Sequence, residues 1–324
     1  MRTNRYNFSL PTEYVSKKRE LLVDDFKHIM NDDVLNTIDE VSLCGNVGDP
    51  IAAKDCLPIV KYLSKFPVTI LLETNGSLRN EKWWSEMGSC MNSNSSTVFF
   101  HIDGLEDTNH LYRQKTDFNK IINNAKSFIQ SGGNAVWEFI PFKHNEHQVE
   151  EAKSLSKELG FKEFILRKSN RGWGKGVEGI SYVTPEGEKK VLEPPSDSLV
   201  GSGVSRKQDK EVKNISCSYL KHKNTFIHCD GTLWPCCHLA SDLYKQFQNY
   251  KSSPDRYKNA TEIVLMEKMN PAVNLLEVES GAILKYAFNN DLFNEVKNEW
   301  QFNGPGTCQR VCGQRSAGSD RIIT

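Results

Sequence analysis

Val68-Thr69-Ile70-Leu71-Leu72 leads directly into Glu73-Thr74-Asn75-Gly76, and this stretch decides the fold. Its five residues are the longest clean apolar run in the chain, which is strand length and far short of the ~20 apolar residues of a membrane span. The polar Asn-Gly pair behind it closes the strand in a tight loop. The same unit recurs on both sides.

Upstream, Leu57, Ile59, Val60, Tyr62 and Leu63 recur at helical spacing, preceded by the short run Val41-Ser42-Leu43-Cys44, which stops at Gly45-Asn46-Val47-Gly48-Asp49-Pro50. A helical pattern from Val23 runs through Phe26, Ile29, Met30, Val34, Leu35 and Ile38. Downstream, a helix around Trp83, Trp84 and Met87 leads to a strand from Thr97 to Ile102, closed by Asp103-Gly104. A helix from Phe118 to Ile129 ends at Ser131-Gly132-Gly133, a C-cap signal. Then come a strand from Ala135 to Phe142 with His144, Asn145 and Glu146 in its loop, a helix from Val149 to Leu159, and a strand from Glu163 to Arg167.

Five strands alternating with helices read as βαβ units of an α/β fold with a parallel sheet. Asp49, Asn75, Asp103, Asn145 and Arg167 each follow a strand. Such sheets bind ligands at the carboxyl ends of their strands. Asn, Asp and Gly are also ordinary turn residues, so one loop decides nothing. Five in register point to a shared site.

The chain has 324 residues, with Lys plus Arg equal to Asp plus Glu at 41 each, a formal net charge of zero. Nucleic acid is not an expected partner, because proteins that bind it through bulk charge carry a basic surplus. The basic start Met1-Arg2-Thr3-Asn4-Arg5 has no apolar core behind it, so no signal peptide is read and a cytoplasmic setting is expected, with no membrane partner. In that reducing setting the nine cysteines are expected to be thiols and metal ligands rather than disulfides.

Residues 169–216 break the alternation with Gly172, Gly174, Gly176, Gly179, Pro185, Pro194 and Pro195, and read as a linker. The glycine run lacks the following helix that a phosphate loop requires. A cysteine-rich α+β region occupies 217–324. Phe226-Ile227-His228-Cys229, Asp230-Gly231 and Leu233-Trp234-Pro235 form a hairpin signal, with Cys236 and Cys237 behind it. A helical stretch through Leu275, Ile283, Leu292 and Trp300 follows, and Asn303-Gly304-Pro305-Gly306 delivers Cys308 and Cys312. Thiolates bind zinc or iron–sulfur clusters. Zinc favours knuckles with two residues between cysteines, and none is present. A cluster, zinc and unliganded structural cysteines all remain open on spacing alone. Cys44, Cys56 and Cys90 lie singly and are expected to be small buried apolar residues.

Two sets of these residues resemble the radical S-adenosylmethionine (radical SAM) enzymes that carry a C-terminal SPASM or twitch domain. Cys217, Gly231 and Cys236 match that domain's order of cysteine, gap, glycine, four residues, cysteine, and Cys308 with Cys312 look like its closing pair. The resemblance implies one auxiliary 4Fe–4S cluster on Cys217, Cys236, Cys308 and Cys312, with Cys229 and Cys237 as alternates. Residues 1–168 are similar to the family's partial (β/α)6 barrel. Gly48-Asp49-Pro50 stands where the family has Gly-Glu-Pro, and Thr74-Asn75-Gly76 and Ile102-Asp103-Gly104, with Arg113 ten residues on, resemble the loops after the next two strands. By this resemblance Gly48, Asp49, Asn75 and Asp103 line an S-adenosylmethionine site that Arg113 supports.

The family's Cys-x3-Cys-x2-Cys triplet is absent, as is the first barrel strand that would precede it: nothing before Cys44 is a cysteine. Met1 is therefore expected to be an internal methionine, with a catalytic 4Fe–4S cluster only if upstream cysteines exist. The complete form would cleave S-adenosylmethionine and abstract hydrogen from a peptide, protein or other substrate; the chain as written is expected to be inactive. The other reading is a degenerate, non-catalytic barrel whose iron–sulfur or zinc site serves a binding module. His101 is read as an inward-facing barrel histidine with a hydrogen-bond partner rather than a site residue.

Overall fold

Parallel strands joined by helices run from Glu40 to Arg167. The computed structural model describes residues 20–45, 48–93, 95–167, 179–184, 187–196, 199, 215–240, 273–287, 294, 296–298, 308, 312 and 321–323. These fall into two compact units, one within Ile38–Gln208 together with 321–323, the other within 20–37 and Asp209–Ser316. The glycines 172–176 and the loop 303–306 lie outside the described residues, as do Leu292 and Trp300.

In the first unit, β1 (Glu40–Leu43), β2 (Thr69–Thr74), β3 (Thr97–His101), β4 (Ala135–Phe139) and β5 (Glu163–Arg167) pair in that order, each parallel to the next. The expected α/β sheet of a partial barrel is therefore present, with β1 at one edge. A sixth strand, Arg321–Ile323, pairs antiparallel with β5, an addition that three residues near the C-terminus did not announce. A helix lies in each connection: Cys56–Leu63 before β2, Glu81–Cys90 before β3, Phe118–Gln130 before β4 and Val149–Glu158 before β5.

Local chemistry starts these helices. The Asn80 side chain accepts from Trp83 N and the Asp117 side chain from Lys120 N, so each caps an otherwise orphaned donor. One sheet face then packs on the helices. Thr74, Phe100, Trp137 and Phe164 lie in register across β2–β5 on that face, and Trp84 and Phe128 from the helices sit 5.1 and 6.0 Å from the Phe100 ring. All but Thr74 and Phe164 among these six have no exposed surface. Truncating such a buried aromatic to Ala costs about 3–5 kcal/mol, so this layer fixes the strand ends above it.

The helical pattern from Val23 is two helices, Val23–Ile29 and Asp32–Leu35, because Asn31 restarts the helix by accepting from Val34 N. Both belong to the second unit, where His28 Nε2 meets the Val278 carbonyl at 2.9 Å. Within the stretch read as linker, Ile180–Val183 and Lys189–Leu192 pair as an antiparallel hairpin, and Leu192 packs with Ile140 and Phe142. The Asp-Gly hairpin is present as expected: Phe226–Ile227 pairs antiparallel with Leu233–Trp234. Of the single cysteines, Cys56 is buried, but Cys44 and Cys90 are half-exposed because each sits at the end of its element. Among the described residues no helix is long and apolar enough to cross a membrane.

Candidate functional site

A Cβ on Gly45 would overlap the Gly48 carbonyl oxygen, so only glycine permits this approach. Beyond it, the Asp49 carboxylate binds the next strand: Oδ2 accepts from Thr74 Oγ1 and from Asn75 N, both at 2.9 Å, and Oδ1 accepts from Ile51 N at 3.2 Å. Burial pushes this carboxyl above its ordinary range, against the pull of those donors and of the Arg113 charge. Arg79 clamps the same loop. Its Nε donates to Ile51 O at 2.7 Å and its Nη2 to Ala53 O at 2.7 Å, from a backbone with φ of 70°.

Asp103, after β3, has no exposed surface. Its Oδ1 accepts from Ile140 N and its Oδ2 from Arg113 Nε, both at 2.6 Å. Its main chain is bonded as well, the amide donating to Asn109 Oδ1 and the carbonyl accepting from Asn145 Nδ2, both at 2.9 Å. Burial opposes the charge on Arg113, but Asp103 beside it outweighs that and holds the guanidinium above its usual value. Both Asp103 oxygens are thus committed inside the protein. Asp49 and Asp103 act as supports. Gly48, with open space around it, and the half-buried Asn75 are the members turned outward. Asn75 Oδ1 accepts from Ser77 N, which fixes the side chain at the loop mouth.

The sheet face away from the helices carries a group of charges of which the sequence reading named only His101 and Arg167. His101 lies between two carboxylates, its Nε2 3.8 Å from Glu73 Oε2 and its Nδ1 3.8 Å from Glu138 Oε2. Arg167 Nη2 donates to Glu138 Oε1. His101 faces inward, as read from the sequence. Glu138 was missed, although a lone Glu within Ala-Val-Trp-Glu-Phe, a strand buried at every position, is the signal that marks it.

In the second unit, Cys312 is acted on by each of the other three implied cluster ligands. The thiols of Cys217 and Cys312 share a hydrogen bond that pulls Cys217 down and pushes Cys312 up. Cys308 and Cys236 also act on Cys312, and burial pushes Cys236 up to about 12. Cys236 and Cys308 sit in the small core around Trp234, Leu239 and Val296. Cys237 accepts from the Tyr219 hydroxyl at 3.2 Å; Cys229 is exposed and faces His228 instead. Among the described residues no three His, Cys, Asp or Glu side chains stand at metal-ligand spacing.

Five parallel strands with polar loops at their carboxyl ends are a layout that solved structures share. The chain is similar in structure to SuiB of Streptococcus suis, at a TM-score of 0.53 and 12% identity over 90% of this chain and 66% of that one. With SuiB bound to S-adenosylmethionine the TM-score is 0.51 at 15% identity, over 85% of this chain and 60% of that one. The chain thus spans about two thirds or less of those chains' length. No protein-family model and no curated protein matches it. At this identity the likeness establishes the fold.

Proposed function

We propose that this chain supplies the S-adenosylmethionine-binding barrel and the auxiliary-cluster domain of a radical SAM enzyme of the SPASM type. The observation that carries the reading is the double tie at the strand ends. Asp49 joins the β1 loop to Thr74 and Asn75, Asp103 is paired with Arg113, and the Arg113 charge acts on Asp49 in turn. Four of the five residues expected at the cofactor site, Asp49, Asn75, Asp103 and Arg113, thereby belong to one electrostatic unit at the carboxyl ends of parallel strands, where such sheets bind ligands. Because Asp49 and Asp103 are spent on internal donors, contact with the ligand falls to the Gly48 main chain and to Asn75.

For the second unit we propose Cys217, Cys236, Cys308 and Cys312 as ligands of a 4Fe–4S cluster. The donors are chemically suited to it: four thiols, soft ligands, with Cys217, Cys236 and Cys308 all acting on Cys312. Such a cluster supplies one-electron chemistry when bound. The full reaction is cleavage of S-adenosylmethionine with hydrogen abstraction from a peptide or other substrate. It requires the cysteine triplet, which these 324 residues do not contain, so the activity is proposed for a polypeptide that carries it.

Titration calorimetry with S-adenosylmethionine tests the barrel, with binding expected in the parent chain and weakened at least tenfold by Asn75→Ala. Anaerobic reconstitution with iron and sulfide, followed by metal analysis, tests the second unit, with about four irons expected. Zinc retained in place of iron would support the binding-module reading. No 5′-deoxyadenosine from a chain extended to include the triplet and loaded with both clusters would end the enzymatic one.

A further inference from the structure

The loops that follow β1 and β2 grip each other at two points, and the two grips run in opposite directions. Asp49 reaches from the first loop to Thr74 and Asn75 of the second. Arg79 reaches back from the second loop to the short turn Pro50–Ala52 of the first. In that turn Ala52 N donates to Asp49 O at 2.9 Å and Ala53 N to Pro50 O at 3.0 Å. The last carbonyls of a helical turn have no partner within it. Arg79 supplies one: Nε donates to Ile51 O and Nη2 to Ala53 O, both at 2.7 Å, with Nη2 3.4 Å from Ala52 O.

The chain that carries Arg79 is itself anchored. The Leu78 carbonyl accepts from Trp84 Nε1 at 3.1 Å and from Asn124 Nδ2 at 3.3 Å, and the Gly76 carbonyl accepts from Asn124 Nδ2 at 2.8 Å. Trp84 and Asn124 are buried, so the second loop is tied to two helices of the barrel. Arg79 then takes a φ of 70°, where residues other than glycine are uncommon. Such a backbone persists where its surroundings over-determine it, and the bonds on either side of Arg79 do so. The guanidinium also lies 5.6 Å from the Trp83 ring centroid, within cation–π range. Its planar fork serves neighbouring carbonyls together, where a lysine would offer a point charge on a flexible stem. Ile51 is fully buried and keeps the turn attached to the barrel without help. The guanidinium is therefore spent on where the turn sits rather than on whether it folds.

We propose that Arg79 is a positioning residue for S-adenosylmethionine, holding the segment from Gly48 to Ala53 in place against Asn75 before the ligand arrives. The Gly48 main chain and the Asn75 side chain lie on different loops, and the frame closed by Asp49 and Arg79 makes them one surface. Preorganisation of this kind raises affinity by removing the cost of ordering on binding. The inference rests on the reading of these loops as a cofactor site.

Arg79→Gly removes the guanidinium and suits the backbone, since glycine adopts positive φ freely. Amide hydrogen exchange of the full chain without ligand is the first measurement, and titration calorimetry with S-adenosylmethionine is the second. Each is repeated with ethylguanidinium, which can refill the vacated space, and with ethylammonium as its control. In Arg79→Gly the Ala52 and Ala53 amides should exchange about tenfold faster and S-adenosylmethionine should bind about tenfold more weakly. Ethylguanidinium, but not ethylammonium, should reverse both in part, and Arg79→Lys should fall between the parent and Arg79→Gly. Unchanged exchange at Ala52 and Ala53, or faster exchange with unchanged affinity, would overturn the proposal and leave the cofactor reading standing. So would weaker binding that tracks a lower urea midpoint of the barrel with no rescue by ethylguanidinium, because Arg79 would then serve stability alone. No binding by the parent chain would end the cofactor reading and this inference with it.

Discussion

The strand ends of the barrel and the thiols of the cysteine unit hold their polar groups in opposite ways. At Asp103 every oxygen has a protein donor, and the acid sits opposite a cation that the same unit supplies. At Cys312 the neighbours that shift the thiol are three more thiols, each of which makes its ionisation harder. The barrel site is complete in charge and rests on a thick aromatic layer. The thiol group is a set of like groups, two of which, Cys236 and Cys308, sit in a core of only a few residues. The two should therefore fail under different stresses.

The largest effect that sharpens this contrast is expected from Cys312→Ser. Bound iron should fall to background after reconstitution, and limited proteolysis should open residues 209–316 while 38–167 stays resistant. Equal protease resistance with and without bound iron would erase the difference between the units. Next is Asp103→Ala, which strands a partly buried guanidinium and the Ile140 amide. Breaking such a pair costs about 3–5 kcal/mol, read as a lower urea midpoint of the barrel with iron content unchanged.

The contrast follows the limits of what the sequence made legible. The β5 boundaries at Glu163 and Arg167 and the start of the Phe118 helix are as read, because periodicity and capping are local signals. The break at Asn31 was hidden: Ile29, Met30, Val34 and Leu35 keep helical spacing through it, and the cap is recognised only once its bond to Val34 N is seen. The hairpin at Ile180 was masked by the glycines and prolines around it. At the candidate site, Asp49, Asn75 and Asp103 were singled out because they follow strands, and Arg113 by the resemblance. Their division into supports and outward-facing groups was not, since burial decides it. Arg79 escaped because its role is to donate to main-chain carbonyls, which leave no mark in sequence.

A smaller effect separates the units by pH. Burial disfavours a charged imidazole, but Asp230 and the Cys229 sulfur outweigh it and hold His228 at about 9 in the folded chain, above the ordinary histidine value near 6.5. Its contribution is therefore complete below about pH 6.5 and is lost as pH rises through about 9. The amount is on the order of 2 kcal/mol. Melting of the cysteine unit followed from pH 6 to 10 should fall more steeply in the parent chain than in His228→Asn. The rise in Cys236 weakens the unit in the same alkaline range, so the difference between the two chains, rather than either slope, measures the histidine. Parallel slopes would mean that the His228–Asp230 pair does not stabilise the hairpin tip.

The smallest effect tests whether the barrel can absorb local damage. Asn80 opens the helix Glu81–Cys90 by accepting from Trp83 N at 3.0 Å, next to the fully buried Trp84. Asn80→Ala leaves that amide to solvent and should cost about 1 kcal/mol of barrel stability. Asn80→Asp keeps an acceptor and places a negative charge at a helix N-terminus, so it should be neutral or slightly stabilising. Neither substitution should alter bound iron, because the cap acts on one helix of a layer whose aromatics stay packed. A loss well above 1 kcal/mol in Asn80→Ala would mean that Trp84 moves with the cap. The strand ends would then depend on a single exposed residue as closely as the thiols depend on one another.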